Sequence, residues 1–507
     1  MKVLLLGYLL VAAVGTAPAQ PTAGKPDERR ISAFTLANGL RFVLMERHHS
    51  PVISFSTYVG GGSVDDPAGQ TGLSNLVGRL VFKGAESIGS RNWTEEKKAL
   101  DAADEAYERM EAERNKGARM KEEALDTLRS QWRLAVDAAQ RLGDPTEYLR
   151  ILQENGASGA VASAKWSSLQ SGFTLPSNRL ELWFAMESQR LMRPVLREFD
   201  KERATHIEEY GKSQSNPQQR VGDALLSAAF SAHPYRVPAG GWPSDAAELK
   251  RRAAVELVEK HYVPGNIVVA MTGDLDPAEV RRLAEKYFGP MPARPLPPLS
   301  HTAEPPQMGP RTVELILTAP VITAVGFKRP SYFDKDDVVL DVLQLILSNG
   351  NRGLAWSELV DEKKVAAGVQ VFATFPDGQY PCLFVFLASA SPGQPVEQIH
   401  KGIEDLLSRL RVQKVGPEVV AEARAQTQAR AYQRLASNAT MAEMLAIYTA
   451  AFGDSEKLFS LIDDLGKVTE DDILRVAQRY LIPSNRTTVF TSLPGQAARA
   501  PRTGGLQ

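Results

Sequence analysis

The chain has 507 residues, 59 Lys+Arg against 60 Asp+Glu, 43% hydrophobic residues, seven histidines and one cysteine. At roughly 100 to 200 residues per domain this length holds about two to four domains with cores of their own, which excludes a mini-protein. A net charge of -1 provides no cationic excess for nucleic acid or an anionic membrane, and lone Cys382 can build neither a disulfide nor a thiolate zinc cage, so any metal site has to draw on His, Asp and Glu.

Lys2, the apolar run Val3 to Val14 and Ala17-Pro18-Ala19 read as a signal peptide over residues 1–19, which predicts export to a periplasm or out of the cell. The run is shorter than the about 20 apolar residues of a membrane span, and no other segment is apolar for long enough to span a bilayer. Arg41 to Met45 and Ile53 to Val59 carry the alternation of strands, and Gly60-Gly61-Gly62-Ser63 ends the second as a turn, with no GxxxxGK[ST] behind it to cradle a phosphate. Leu73, Leu76, Val77, Leu80 and Val81 have the spacing of a helix with one buried face. From Asn92 to Gln140 an Ala/Glu/Lys/Arg/Leu-rich stretch predicts a long helical hairpin, bending near Gly117, inserted into the domain; its alternating charges read as a solvated face, or else as a partner-docking arm or a lid.

Prolines concentrate over residues 290–311 and predict an extended linker. On either side the chain closes on a similar phrase, His261-Tyr262-Val263-Pro264-Gly265-Asn266 and Tyr480-Leu481-Ile482-Pro483-Ser484-Asn485, each before a β-like run. An internal duplication follows: an α+β fold of two related domains, residues 31–289 with the insertion 92–140, and residues 312–493, able to pack face to face. Residues 494–507 read as a disordered tail.

Gly72-Leu73-Ser74-Asn75-Leu76-Val77-Gly78-Arg79-Leu80-Val81-Phe82-Lys83-Gly84 resembles the helix of the pitrilysin or insulinase-like (M16) zinc peptidases, whose pattern is GLAHxxEHMxFKG. Asn38-Gly39-Leu40-Arg41, Leu175-Pro176-Ser177-Asn178, Glu202-Arg203 with Glu208-Glu209, His233-Pro234-Tyr235 and Gly273-Asp274 fall in that family's order, so the resemblance covers nearly the whole mature chain. It implies a two-domain clamshell. It also implies that the inverted HxxEH should supply two zinc-binding histidines and a general base. Position by position these are Asn75, Gly78 and Arg79: a weak amide oxygen, no side chain, and a permanent cation. Glu209 is kept as the sole retained ligand position, with Glu202 behind it. One carboxylate does not hold zinc, and no cofactor is expected. If the helices pack as in the family, Arg79 faces Glu209 and Glu202 and replaces the metal as their counter-charge, because a carboxylate buried unpaired costs several kcal/mol.

His206, one turn before Glu209, is the only histidine placed to substitute as a ligand. His48 and His49 are adjacent and point to opposite faces, while His233, His261, His301 and His400 lack a second ligand at useful spacing. Cys382 stands in a strand-like run as a small buried hydrophobe. In the segments that hold substrate in the family, Val161, Ser167 and Ser171 stand where Asn, Asp and Tyr are implied, and in the second half Val360 and Ala367 replace an Arg and a Tyr. The resemblance therefore implies an exported, catalytically degenerate member. It would serve as the non-catalytic half of a two-subunit M16 peptidase or bind a peptide or unfolded polypeptide along a sheet edge. The alternatives are an active zinc metalloendopeptidase with atypical ligands around Glu209 and His206, and a structural scaffold.

Overall fold

The computed structural model describes residues 30–298 and 302–494. The signal peptide over residues 1–19, His301 and the tail beyond Pro494 lie outside the described residues.

Two mixed sheets organise the chain. The first contains β1 (Ile31–Thr35), β2 (Arg41–Glu46), β3 (Val52–Gly60), β4 (Ser158–Ala164), β5 (Ser168–Pro176) and β6 (Ile267–Gly273), in the order β1-β2-β6-β3-β5-β4. The second contains β7 (Arg311–Ile316), β8 (Ile322–Arg329), β9 (Ala366–Phe375), β10 (Cys382–Ala390) and β11 (Arg486–Ser492), in the order β7-β11-β8-β10-β9. Apart from β1 the two orders correspond strand by strand. β2 lies parallel to β6 as β7 does to β11, and β3 is antiparallel to β6 as β8 is to β11. β5 and β4 then follow as β10 and β9 do.

The repeated phrase has the same task in both halves. Asn266 Nδ2 donates to His261 O (2.9 Å) and to Gly60 O at the end of β3 (2.6 Å). Asn485 Nδ2 donates to Tyr480 O (2.7 Å) and to Lys328 O on β8 (2.8 Å). Each asparagine ties the end of a helix to the neighbouring strand, satisfying carbonyls that a helix terminus leaves open.

The helices of the first half are α1 (Leu73–Leu80), α2 (Trp93–Arg114), α3 (Glu122–Gln140), α4 (Glu147–Glu154), α5 (Leu180–Met192), α6 (Phe199–Ser213), α7 (Pro217–Ala229), α8 (Pro243–Glu248), α9 (Arg251–His261) and α10 (Pro277–Phe288). One face of the first sheet packs Phe42, Phe55 and Leu175 on Leu76, Leu80, Trp183 and Phe288 from these helices. Its other face, with Val43, Met45, Tyr58, Val268 and Ala270, is covered by Met441, Ala442, Leu445 and Ala446 of the helix Asn438–Phe452 from the second half. Reciprocally, α7 lays Val221, Leu225, Leu226 and Ala229 on Ile322, Ala324, Leu383, Val385 and Val489 of the second sheet. Each sheet thus completes its burial with a helix lent by the other half. The clamshell's two domains are joined by shared cores, in which each fully buried large side chain contributes about 1.5–3 kcal/mol.

The insertion is a hairpin of α2 and α3 that bends at Gly117, where φ is +56°. The solvated reading of its charges is corrected for α2. Arg251 bonds Asp104 (2.6 Å), Arg252 bonds Glu108 (2.9 Å), and Arg197 Nε donates to Glu96 Oε1 at 2.6 Å with both side chains buried. Arg203 lies 4.6 Å from the ring of Tyr107. The charges of α2 cross to the domain body because a carboxylate such as Glu96 needs a cation once it is buried. α3 lies outside, packing Leu125 and Trp132 on Tyr107 and Met110.

Candidate functional site

α1 begins at Gly72, whose left-handed φ of +93° brings its Cα against the Gly240 carbonyl; a Cβ there would stand 2.4 Å from that oxygen. The open N–H groups of the helix are met from outside. Asp66 accepts from Gly72 N (2.8 Å), Ser74 N (2.9 Å) and Ser74 Oγ (2.6 Å). Burial pushes the Asp66 carboxyl up to about 7 against the pull of these bonds. The donors and the positive end of the helix both favour its charged form.

Leu73, Leu76, Val77 and Leu80 turn into the core, which leaves Asn75 and Arg79 half-buried, one turn apart, on the remaining face. Arg79 reaches α6. Its Nε donates to Glu202 Oε2 (3.2 Å) and its Nη1 to Glu209 Oε2 (2.7 Å). Glu202 and Glu209 are seven residues apart, two turns along one face of α6. Lys83 Nζ bonds Glu202 Oε1 (2.9 Å) and Glu198 Oε2 (2.6 Å), and Lys201 Nζ bonds Glu198 Oε1 (2.6 Å). Burial alone would lower Lys83, but the two glutamates more than offset it and its pKa is raised. The result is a line of alternating charge: Glu209, Arg79, Glu202, Lys83, Glu198, Lys201. Glu198 stands in the left-handed region at φ +58°, a strained position held by its two lysine bonds. The ion pair expected between Arg79 and the two glutamates is present.

His206, the candidate substitute ligand, is engaged through one ring nitrogen. Its Nε2 lies 2.8 Å from Gly240 O. A carbonyl can only accept, so Nε2 carries the proton and the lone pair of the neutral ring is on Nδ1. Burial, with Arg79 nearby, holds the ring neutral against the Gly240 bond.

Gly78 is the third element. A Cβ built on it would stand 2.7 Å from Ala164 N and 3.2 Å from Ala164 Cβ, both on the edge strand β4. The backbone of α1 therefore rests on β4, and the space for a side chain at this position is filled. A guanidinium sits on the one retained ligand carboxylate, and among the described residues no group of three or more His, Cys, Asp or Glu is placed to hold a metal ion.

The substrate positions part company. Val161 lies on β4 and is 56% exposed. Ser167 is buried in the β4–β5 turn and donates to Asp377 Oδ2 (2.7 Å) across the domain seam, beside a Lys165–Glu443 ion pair (3.1 Å). Ser171 is engaged internally as well. Strand alternation places it on the core face of β5, where its buried Oγ accepts from Arg190 Nη2 (3.0 Å). Val360 packs against the second core in a π-helical turn, Ser357–Glu362, and Ala367 is exposed on β9. Cys382 is buried, which pushes its thiol up to about 12. Sequence reasoning missed Lys83 and Glu198. Each lies four residues from a recognised partner, Arg79 and Glu202, and that matched spacing was the available signal.

Two duplicated α+β domains that exchange covering helices, with a short helix laid on the edge strand of the first sheet, define a two-domain clamshell. The family profile described as the peptidase M16 inactive domain matches residues 249–427. The zinc protease PqqE of Helicobacter pylori is 27% identical over 273 residues, 52% of this chain and 60% of that protein. A probable mitochondrial-processing peptidase subunit beta of Schizosaccharomyces pombe is 23% identical over 303 residues, 56% of this chain and 64% of that protein. The matched stretches thus span less than two thirds of either relative. Among solved structures, a protease from Helicobacter pylori superposes with a TM-score of 0.76 at 21% identity, covering 91% of this chain and 99% of that one. The periplasmic protease PqqL from Escherichia coli gives 0.65 at 12% identity, covering 93% of this chain but 48% of that one. The family profile and the zinc-protease relatives support membership of the M16 peptidase family, and the solved structures share its fold. No helix among the described residues is long and apolar enough to cross a membrane.

Proposed function

We propose that this chain is an exported, catalytically inactive M16 protein that acts as the non-catalytic partner of an active M16 peptidase, holding polypeptide along β4. The observation that carries the reading is the Arg79–Glu209 bond of 2.7 Å. A guanidinium occupies the retained ligand carboxylate, while Gly78 supplies no general base. The partner role draws support from the relative named as a subunit of the mitochondrial processing peptidase, and from PqqL, about half of whose chain this one matches. A second chain of similar size would supply the other half. The periplasmic description of PqqL and the signal-peptide reading both favour export. The alternative of an active zinc peptidase around Glu209 and His206 is disfavoured by the Arg79 guanidinium that Glu209 already binds. Co-expression with a related chain that keeps an intact HxxEH tests the partner role. A stable complex, more active than that chain alone, is expected; two proteins that purify apart with unchanged activity would refute it.

A further inference from the structure

The free edge of β4 is open along most of its length and closed at one end. Lys165 N–H turns inward and donates to Ser168 O at 2.8 Å. Strand alternation then turns the N–H groups of Ala164 and Ala162 outward, toward the free edge. At Ala164 that edge meets α1, because Gly78 packs on this nitrogen. Upstream it is clear: Gly159, Ala160, Val161 and Ser163 are exposed. A strand added to β4 would pair along Val161 to Ser163, downstream of the register shift between Ser158 and Val161, and stop against α1. An interior stretch of polypeptide would have to leave the edge at this point.

Resting on the reading of β4 as a peptide-binding edge, we propose that it receives the free N-terminus of a polypeptide, antiparallel to β4, with the terminal ammonium at the α1 end. In an antiparallel pair the incoming N-terminus lies at the C-terminal end of β4, which is the closed end. Two features there carry negative charge, although Glu209 already holds the Arg79 guanidinium, with which an incoming ammonium would compete. Gly78 and Arg79 belong to the last turn of α1, where open carbonyls carry partial negative charge. Glu209 is the most exposed acid of the adjoining charge line, at 37%, against 16% for Glu202 and 14% for Glu198. The exposed side chains of β4 are small and uncharged, so the edge offers backbone bonds and little choice of side chain. Selection would fall on the chain end and not on the sequence behind it.

The test titrates the full chain with a short peptide of serine, threonine and valine, followed by the fluorescence anisotropy of a dye on a lysine side chain. The peptide is prepared with a free N-terminus, acetylated, C-terminally amidated, and as a head-to-tail ring. Acetylation is expected to weaken binding at least about tenfold, amidation to leave it unchanged, and the ring not to bind. Glu209→Gln should bring the free peptide down to the level of the acetylated one. Equal binding of the free, acetylated and ring forms would overturn the chain-end proposal and leave the edge reading standing. A loss on amidation in place of acetylation would overturn the assigned direction. No binding by any form would remove the edge reading itself.

Discussion

Gly78 and Ala164 join α1 to the edge strand: a Cβ at Gly78 would stand 2.7 Å from the Ala164 nitrogen. The position where the family pattern has its glutamate is here a backbone-to-backbone contact. Losing the side chain and closing the gap belong to one packing solution, because a protein interior does not keep an empty site.

Gly78→Ala is therefore expected to destabilise by about 1–3 kcal/mol, the usual cost of overpacking. Gly78→Glu should cost more. Thermal unfolding measures both. An alanine variant as stable as the parent would mean that β4 stands off α1.

Arg79→Met strands Glu209 and leaves Glu202 to Lys83 alone. With Arg79 a quarter exposed, the loss should fall between that of a surface pair and a buried one, about 1–3 kcal/mol by denaturant unfolding. Lys83→Met in the same chain should not add independently, because both cations share Glu202. Strict additivity would contradict the continuous line of charge.

Glu304 gives a pH test away from this site. It accepts from Ser231 N (3.0 Å), Ala232 N (2.8 Å) and His233 N (3.0 Å) and pairs with Lys328 at 2.7 Å. Burial works to raise its carboxyl, but Lys328 and the three N–H groups outweigh it and hold the pKa down from 4.5 to about 2. A depressed carboxylate stabilises above its unfolded pKa and loses that contribution as pH falls through the folded one. Glu304→Gln should cost about 1.5–3 kcal/mol at neutral pH, with the difference from the parent shrinking between about pH 4.5 and 2. A constant difference across that range would rule out the charged bond as its source.

The shared cores predict a single cooperative unit. Leu445, fully buried against the first sheet although it belongs to the second half, should cost about 2–5 kcal/mol as Leu445→Ala. Unfolding should stay a single transition, followed by calorimetry. Two separated transitions, with only the second half weakened, would contradict the exchange of helices.

The duplication, the strand alternation and the helical insertion were legible in the sequence because each rests on local patterning. The ends of the charge line were not, since Glu198 and Lys83 meet only when α6 packs on α1. Nor was the placing of Ser167 and Ser171. A serine reads alike on either face of a strand, and it was the fold that turned Ser171 to Arg190 and Ser167 to Asp377. The docking of α2 was hidden for a similar reason: charges that could pair within a helix look the same as those that pair across to α9.

The measurement that bears most directly on the central claim is the zinc content of the purified, chelator-washed and zinc-reloaded chain, taken with its peptide cleavage. An ion-paired Arg79 on Glu209 predicts no retained zinc and no chelator-sensitive cleavage. One tightly held zinc per chain, with cleavage lost on chelation and restored by zinc, would contradict it.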